Sequence, residues 1–300
     1  MNASIMEIER FAIHDGPGIR TVVFLQGCPL HCPWCANPES QSIKPQLMYQ
    51  KKRCVTCGTC VKNCPAHAVD VQNNEIRFYR DRCLSCKTCE QNCPAAAIQF
   101  IGTQMTVEEI MNEVRKDKCF YNESDGGVTI SGGEPFVQFE VCKSILNSCK
   151  NEGISTAVET TGDTKWRNME ECLSAVDLFL FDFKHYDSEK LQHVTGANAD
   201  RIMANLKHLA YMASEKIILR IPVIPGFNYE DDVLKKMLDI ALQLKISRVH
   251  LLPYHTLGLS KYEQLDRTYA LKGTAMLHKE DLQSYVAYGN QRGLYVQAGG

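Results

Sequence analysis

Three cysteines, Cys28, Cys32 and Cys35, fall within eight positions of the stretch GCPLHCPWCANPES (27–40). Thiolate sulfur is a soft ligand, and short loops with repeated cysteine hold either zinc or an iron–sulfur cluster. Both kinds of site ordinarily take four protein ligands. Here the series stops at three, with His31 set between two of the cysteines. The spacing alone leaves the occupant of the fourth position open.

Two further runs, CVTCGTCVKNCP (54–65) and CLSCKTCEQNCP (83–94), each read C-x2-C-x2-C-x3-C-P, the pattern that holds 4Fe–4S clusters in bacterial two-cluster ferredoxins. Three close thiolates bind one cube, the proline redirects the chain, and the fourth cysteine serves the other cluster. The resulting sets are Cys54, Cys57, Cys60 and Cys93 for one cluster, and Cys83, Cys86, Cys89 and Cys64 for the other. A pair of zinc knuckles is the competing reading, but zinc sites separate their ligand pairs by a longer loop. The repeat also runs past the cysteines, into AHAVDV and AAAIQF. With a polar lead-in before it and a helix start at Thr106 after it, residues 45–103 read as an inserted, ferredoxin-like, electron-carrying domain.

Such ligands need a rigid frame, and the rest of the chain alternates strand and helix patterns. TVVFLQG (21–27) is a buried-strand run that leads into Cys28. GGVTISGG, STAVETTG, VDLFLFDFK, KIILRIPVI and RVHLLPYH follow as strands. Helical periods separate them: TVEEIMNEVRKDKCF, which opens on a Thr106/Glu109 capping box, a stretch around 138–151, ADRIMANLKHLAYMA and EDDVLKKMLDIALQL. LQSYVAYGNQRG supplies a last helix before LYVQA. Repeated β/α units predict an α/β fold, a partial (β/α)6 barrel of the TIM type over residues 1–300, with the insertion inside it. Ligands of such sheets bind at the C-terminal strand ends. Polar residues gather there: Cys28, the GGEP turn (132–135), Glu159 with Thr160, Asp182 with Lys184, and His255, while Arg220 lies within its strand.

Composition narrows the function class. The 300 residues are 44 % hydrophobic and 23 % charged, with a formal charge of −2. That fits a soluble globular protein and not a nucleic-acid binder, which needs a basic excess. MNASIMEIERF lacks the pattern of a signal peptide, and no apolar run has membrane-spanning length. The expected compartment is the cytoplasm, where fifteen cysteines do not form a disulfide framework. Cys119, Cys142, Cys149 and Cys172 sit among apolar neighbours and read as buried and unreactive.

HDGPGIRTVVFLQGCPLHCPWCANPES, SGGEP, DFKH and LLPYHTLGLSKY together resemble the activating enzymes of glycyl radical enzymes, a group within the radical S-adenosylmethionine (SAM) superfamily. The likeness covers essentially the whole chain, insertion included. It implies that Cys28, Cys32 and Cys35 hold three irons of a 4Fe–4S cube whose fourth iron takes the amino and carboxylate groups of SAM. An open position of this kind marks catalytic rather than structural metal sites. The resemblance further implies one-electron cleavage of SAM to methionine and a 5′-deoxyadenosyl radical, which takes hydrogen from a backbone glycine of a pyruvate formate-lyase-like partner. By the same likeness Gly132, Gly133 and Glu134 lie near the SAM amino group, and Trp34, Cys35 and Ala36 run beside the adenine. Glu159, Thr160, Asp182, Lys184, Arg220 and His255 surround the carboxylate and ribose. Some members hold a monovalent cation there, although Glu159 stands where some of them carry Asp. Asp15 of HDGPG matches the loop that meets the glycine-bearing peptide. Three 4Fe–4S clusters, SAM, and a flavodoxin or ferredoxin donor complete the implied set. Two other readings compete, a radical enzyme acting on a free small molecule and a passive electron carrier. The three-cysteine site with GGEP disfavours the carrier, and the HDGPG and DFKH context disfavours the small-molecule enzyme.

Overall fold

The computed structural model describes all 300 residues. Its strands are β1 (Asn2–Ala12), β2 (Arg20–Leu25), β3 (Gln46–Tyr49), β4 (Val69–Gln72), β5 (Glu75–Phe78), β6 (Ile98–Ile101), β7 (Thr103–Thr106), β8 (Gly127–Gly132), β9 (Ser155–Thr160), β10 (Leu178–Asp182), β11 (Ile217–Val223), β12 (Arg248–Pro253) and β13 (Tyr295–Ala298). Nine of them form one sheet in the order β13-β12-β11-β10-β9-β8-β2-β1-β7. The six expected strands are β2 and β8 to β12, all parallel to one another, and β13 adds a seventh. β1 returns antiparallel on β2, and β7 antiparallel on β1. The two end strands do not pair, so the barrel is partial and open along one side.

Strand periodicity decides what faces the interior, because alternate side chains point to opposite faces. In β10, Phe179 and Phe181 join the large core of 55 buried residues. Leu178 and Leu180 instead pack with Ala157 and Ile218 in a small separate cluster. Continuing each alternation by two residues reaches Glu159, Asp182 and Arg220. The small cluster is therefore the apolar floor beneath the polar strand ends.

Helices Val107–Arg115, Phe139–Asn151, Ala199–Ala213 and Asp231–Gln243 cover the sheet with their apolar faces. The capping box forms as expected: Thr106 Oγ1 accepts from the Glu109 N–H at 3.2 Å, and Glu109 accepts from the Thr106 N–H at 2.6 Å. The pattern TVEEIMNEVRKDKCF is nevertheless two helices, because a second begins at Lys118. Between them Asp117, fully buried, accepts from Thr21 at 2.8 Å and pairs with Arg10. Cys119 corrects the expectation of four buried thiols. It lies exposed on this short second helix, where Phe120 is itself 41 % exposed, whereas Cys142, Cys149 and Cys172 are fully buried.

The insertion has its own small core of Leu47, Cys60, Val69, Ile76, Ile98 and Phe100. β3 pairs with β6 and β4 with β5, both antiparallel. The sequence repeat is a backbone repeat as well. Thr56 and Ser85, Gly58 and Lys87, and His67 and Ala96 adopt matching positive φ angles. Thr56 N–H donates to the Cys54 sulfur and Ser85 N–H to that of Cys83, both at 3.4 Å. No helix of the structure is long and apolar enough to cross a membrane.

Candidate active site at the strand ends

A cavity of about 380 Å³ opens above the apolar floor, within the usual range of small-molecule sites, about 300–1,000 Å³. Its lining includes Cys28, Cys32, Trp34, Cys35 and Ala36 from the loop after β2, and Gly132 and Gly133 after β8. Glu159, Thr160, Asp182, Lys184 and His255 reach it from the next strand ends, and Asp15 from the HDGPG loop. The residues singled out in the sequence thus meet in one place, with three exceptions. His31 is exposed and outside the lining, so it is not a fourth ligand facing the three thiols. Glu134 and Arg220 do not line the cavity either.

Burial pushes all three thiols up, that of Cys32 to about 12, with the Lys184 ammonium pulling Cys32 and Cys35 back down. Iron bound here would displace these protons, its positive charge supplying the drive. The loop that presents the thiols is clamped from far along the chain. Lys261 donates to Asn37 at 2.6 Å and to the buried Glu39 at 2.5 Å, just beyond Cys35. Sequence reasoning did not select this pair, whose members stand 222 residues apart.

Close backbone approach explains both glycines of the GGEP turn. A Cβ on Gly132, whose φ is +122°, would stand 2.0 Å from the Leu25 carbonyl oxygen, and one on Gly133 2.3 Å from that of Gly27. The Glu134 side chain is committed within the fold. Its carboxylate is fully buried and accepts from the Thr161 N–H at 2.8 Å, the Thr161 hydroxyl at 2.7 Å, Thr160 at 2.8 Å and the Phe136 N–H at 3.3 Å. It ties the turn to the next strand end and turns no oxygen toward the cavity.

A set of charges stands in the cavity wall, with Arg220 behind it. Lys184 donates to Asp182 at 2.7 Å, and Arg220 lies 3.1 Å from Glu159, which also accepts from Ser131. Burial works against the Lys184 and Arg220 cations, but the surrounding acids outweigh it and hold both charged: Asp182 for Lys184, and Glu159, Asp182 and Asp15 for Arg220. Burial pushes the carboxyls of Glu159 and Asp15 up against the pull of Arg220. Two buried polar atoms here have no partner: Asp182 Oδ1 and Arg220 Nε, whereas Arg220 Nη1 faces Glu159. Unpaired buried groups are costly, so their presence points to a polar ligand. The amino-acid end of SAM offers an ammonium and a carboxylate, complementary to an orphaned acceptor and an orphaned donor. Together with three thiols facing the same space, the donor set fits SAM and an iron–sulfur cluster.

In the insertion, Cys54, Cys57, Cys60 and Cys93 line one small cavity with Tyr49. Four thiols sharing one small space match the ligand count of a 4Fe–4S cluster.

Residues 14–203 match a family model described as a 4Fe-4S single cluster domain. The chain is 43 % identical to the trans-4-hydroxy-L-proline dehydratase activating enzyme of Clostridioides difficile, over 90 % of each chain. It is 34 % identical to the pyruvate formate-lyase 2-activating enzyme of Escherichia coli K12, over 99 % of this chain and 93 % of that one. Among solved structures, Streptococcus suis SuiB bound to precursor peptide SuiA shares the fold, with a TM-score of 0.51 and 19 % identity over 66 % of this chain and 43 % of that one. Identity of that extent, running through both the barrel and the insertion, has one meaning: the chain belongs to the radical SAM activating enzymes of glycyl radical enzymes.

Proposed function

We propose that this activating enzyme, an oxidoreductase, carries three 4Fe–4S clusters. One sits on Cys28, Cys32 and Cys35. The other two sit in the insertion, residues 45–103, on Cys54, Cys57, Cys60 and Cys93 and on Cys64, Cys83, Cys86 and Cys89. The observation that carries the reading is the single cavity in which three thiols, without a fourth protein ligand, face Glu159, Lys184 and Asp182, whose buried Oδ1 has no partner. When bound, the first cluster and SAM supply one-electron cleavage of SAM to methionine and a radical able to take hydrogen from glycine.

The chain's own residues bind, orient and shield. Gly132 and Gly133 let backbone approach the amino-acid end of the ligand. Asp182 Oδ1 accepts from its ammonium, and Arg220 and Lys184 neutralise its carboxylate. Trp34 and Ala36 flank the adenine, and His255, exposed at the rim, reaches the ribose. Glu159, Thr160 and Asp182 are the oxygens available to a monovalent cation, and SAM cleavage compared in potassium and tetramethylammonium buffers tests for one. Asp15 meets the glycine-bearing loop of the partner, a glycyl radical enzyme. The two relatives named above act on different enzymes, so the partner is proposed by class. A flavodoxin or ferredoxin supplies the electron. Fifteen unbridged cysteines accord with a reducing cytoplasm. The direct test is Cys32→Ala: deoxyadenosine formation should be lost while roughly eight irons per chain remain. A full iron complement with activity intact would defeat the assignment.

A further inference from the structure

The two halves of the insertion are copies of each other, yet their surroundings differ. Lys51, Lys52 and Arg53 form an exposed turn just before Cys54, and Lys62 is exposed beyond Cys60. Lys51 is offset by Glu75 at 2.7 Å, leaving Lys52, Arg53 and Lys62 without acidic partners. Beside them Val55 is 68 % exposed and Cys57 is exposed, as Leu84 at 69 % and Cys86 are in the second copy, so charge and not exposure distinguishes the two. In the second copy the corresponding positions hold Arg80, Asp81, Arg82 and Gln91. There Arg80 turns inward, donating to the Leu47 carbonyl at 2.5 Å and to the Gln264 carbonyl of the barrel at 3.0 Å. Gln264 ends the short helix Leu259–Gln264, and Lys261 on that helix donates to Asn37 and Glu39, just beyond Cys35. A chain of hydrogen bonds through one helix therefore joins the Arg80 turn of the insertion to the three-cysteine loop, while the turn before Cys54 carries the unpaired positive charge.

We propose that the basic, apolar-centred face formed by Lys52, Arg53, Val55 and Lys62 is the docking port for a strongly acidic one-electron carrier protein. The insertion is then a one-way wire. The carrier loses one electron, the cluster of Cys54, Cys57, Cys60 and Cys93 gains it, and the electron passes to the cluster of Cys64, Cys83, Cys86 and Cys89. From there it leaves by the Arg80 contact toward Cys28, Cys32 and Cys35. This rests on the reading of the insertion as an iron–sulfur relay. Charge complementarity selects the carrier: steering between opposite charges raises association rates by about 10–10³-fold and weakens with salt.

The probe is an acidic flavodoxin, fully reduced and mixed anaerobically with the reconstituted full-length enzyme in a stopped-flow spectrometer. For Lys52→Glu/Arg53→Glu/Lys62→Glu, the second-order rate of cluster reduction at low salt should fall by about tenfold or more. The difference should vanish near 0.5 M salt. Arg82→Glu/Lys87→Glu, at the other repeat, should stay within about twofold of wild type. Unchanged iron content and dithionite-driven SAM cleavage verify an intact insertion. Carbodiimide cross-linking of wild-type enzyme to the flavodoxin gives a variant-free check, with Lys52 or Lys62 expected as the linked residues. Equal rates for wild type and triple variant, a larger loss in the Arg82/Lys87 variant, or links confined to Lys87 would overturn the port. Absence of any paramagnetic reduced cluster in the insertion after mixing wild type with flavodoxin would overturn the relay itself.

Discussion

Glu134 separates a residue that builds the site from one that touches its ligand. Glu134→Ala strands two donors that cannot rotate away, the N–H groups of Thr161 and Phe136. At about 1–3 kcal/mol for each unpaired buried donor, and with a cavity added, the loss should reach about 3–5 kcal/mol. The hydroxyls of Thr160 and Thr161 can turn to other acceptors and add less. Glu134→Gln keeps the shape but must set its amide nitrogen against a donor, costing about 1–2 kcal/mol. Burial pushes the Glu134 carboxyl up against the pull of Thr161 and Thr160. A raised acid stabilises the fold most below its unfolded pKa and loses that contribution as pH rises, so the wild-type margin over the Gln variant should be widest in mild acid. Anaerobic urea denaturation gives the stability, and calorimetry gives the SAM affinity of the folded variant. Stability unchanged within about 0.5 kcal/mol together with a tenfold weaker SAM affinity would refute the reasoning, because the carboxylate would then be a ligand contact.

Gly133→Ala puts a Cβ 2.3 Å from the Gly27 carbonyl and 3.0 Å from the Cys28 Cβ; iron at the three-cysteine site and deoxyadenosine yield should fall together, leaving the insertion's irons in place. Burial, then Arg220 and Arg248, lower the His250 pKa to about 4. Unfolding releases an imidazole that titrates near 6.5, so stability is full above that pH and falls by about 1–2 kcal/mol as pH drops toward 4 for this half-buried group. His250→Gln should flatten that part of the urea midpoint profile. Asp15→Ala should lower glycyl radical yield at limiting partner, read by electron paramagnetic resonance, more than it lowers calorimetric SAM affinity.

Much of the barrel was legible because its central strands are buried on both faces, so LFLF in β10 and ILRIPV in β11 carry their own signal. β1 was not, since its second half is an edge ribbon with Glu7, Glu9 and Arg10 interrupting the apolar run and most of its side chains facing water. The cysteine sets were legible because thiolate clusters demand fixed local spacing. Links made only in three dimensions were not: Lys261 reaches Glu39 across 222 residues, and nothing near either residue announces the other. The partners of the Glu134 carboxylate were hidden for a related reason. A motif says that an acid is needed, but only packing tells whether its oxygens face the ligand or the neighbouring strand.

The central claim is that the three-cysteine site turns SAM into a hydrogen acceptor aimed at a protein glycine. The most direct measurement supplies the enzyme, SAM and a low-potential reductant to a glycyl radical enzyme whose glycines carry deuterium at the α-carbon, under strict anaerobiosis. Each 5′-deoxyadenosine should carry one deuterium, with one methionine beside it and a matching yield of backbone glycyl radical by electron paramagnetic resonance, all absent in Cys32→Ala. Deoxyadenosine that forms at full rate without deuterium, and without a protein radical, in the presence of a partner shown to accept a radical from another activating enzyme, would contradict the claim.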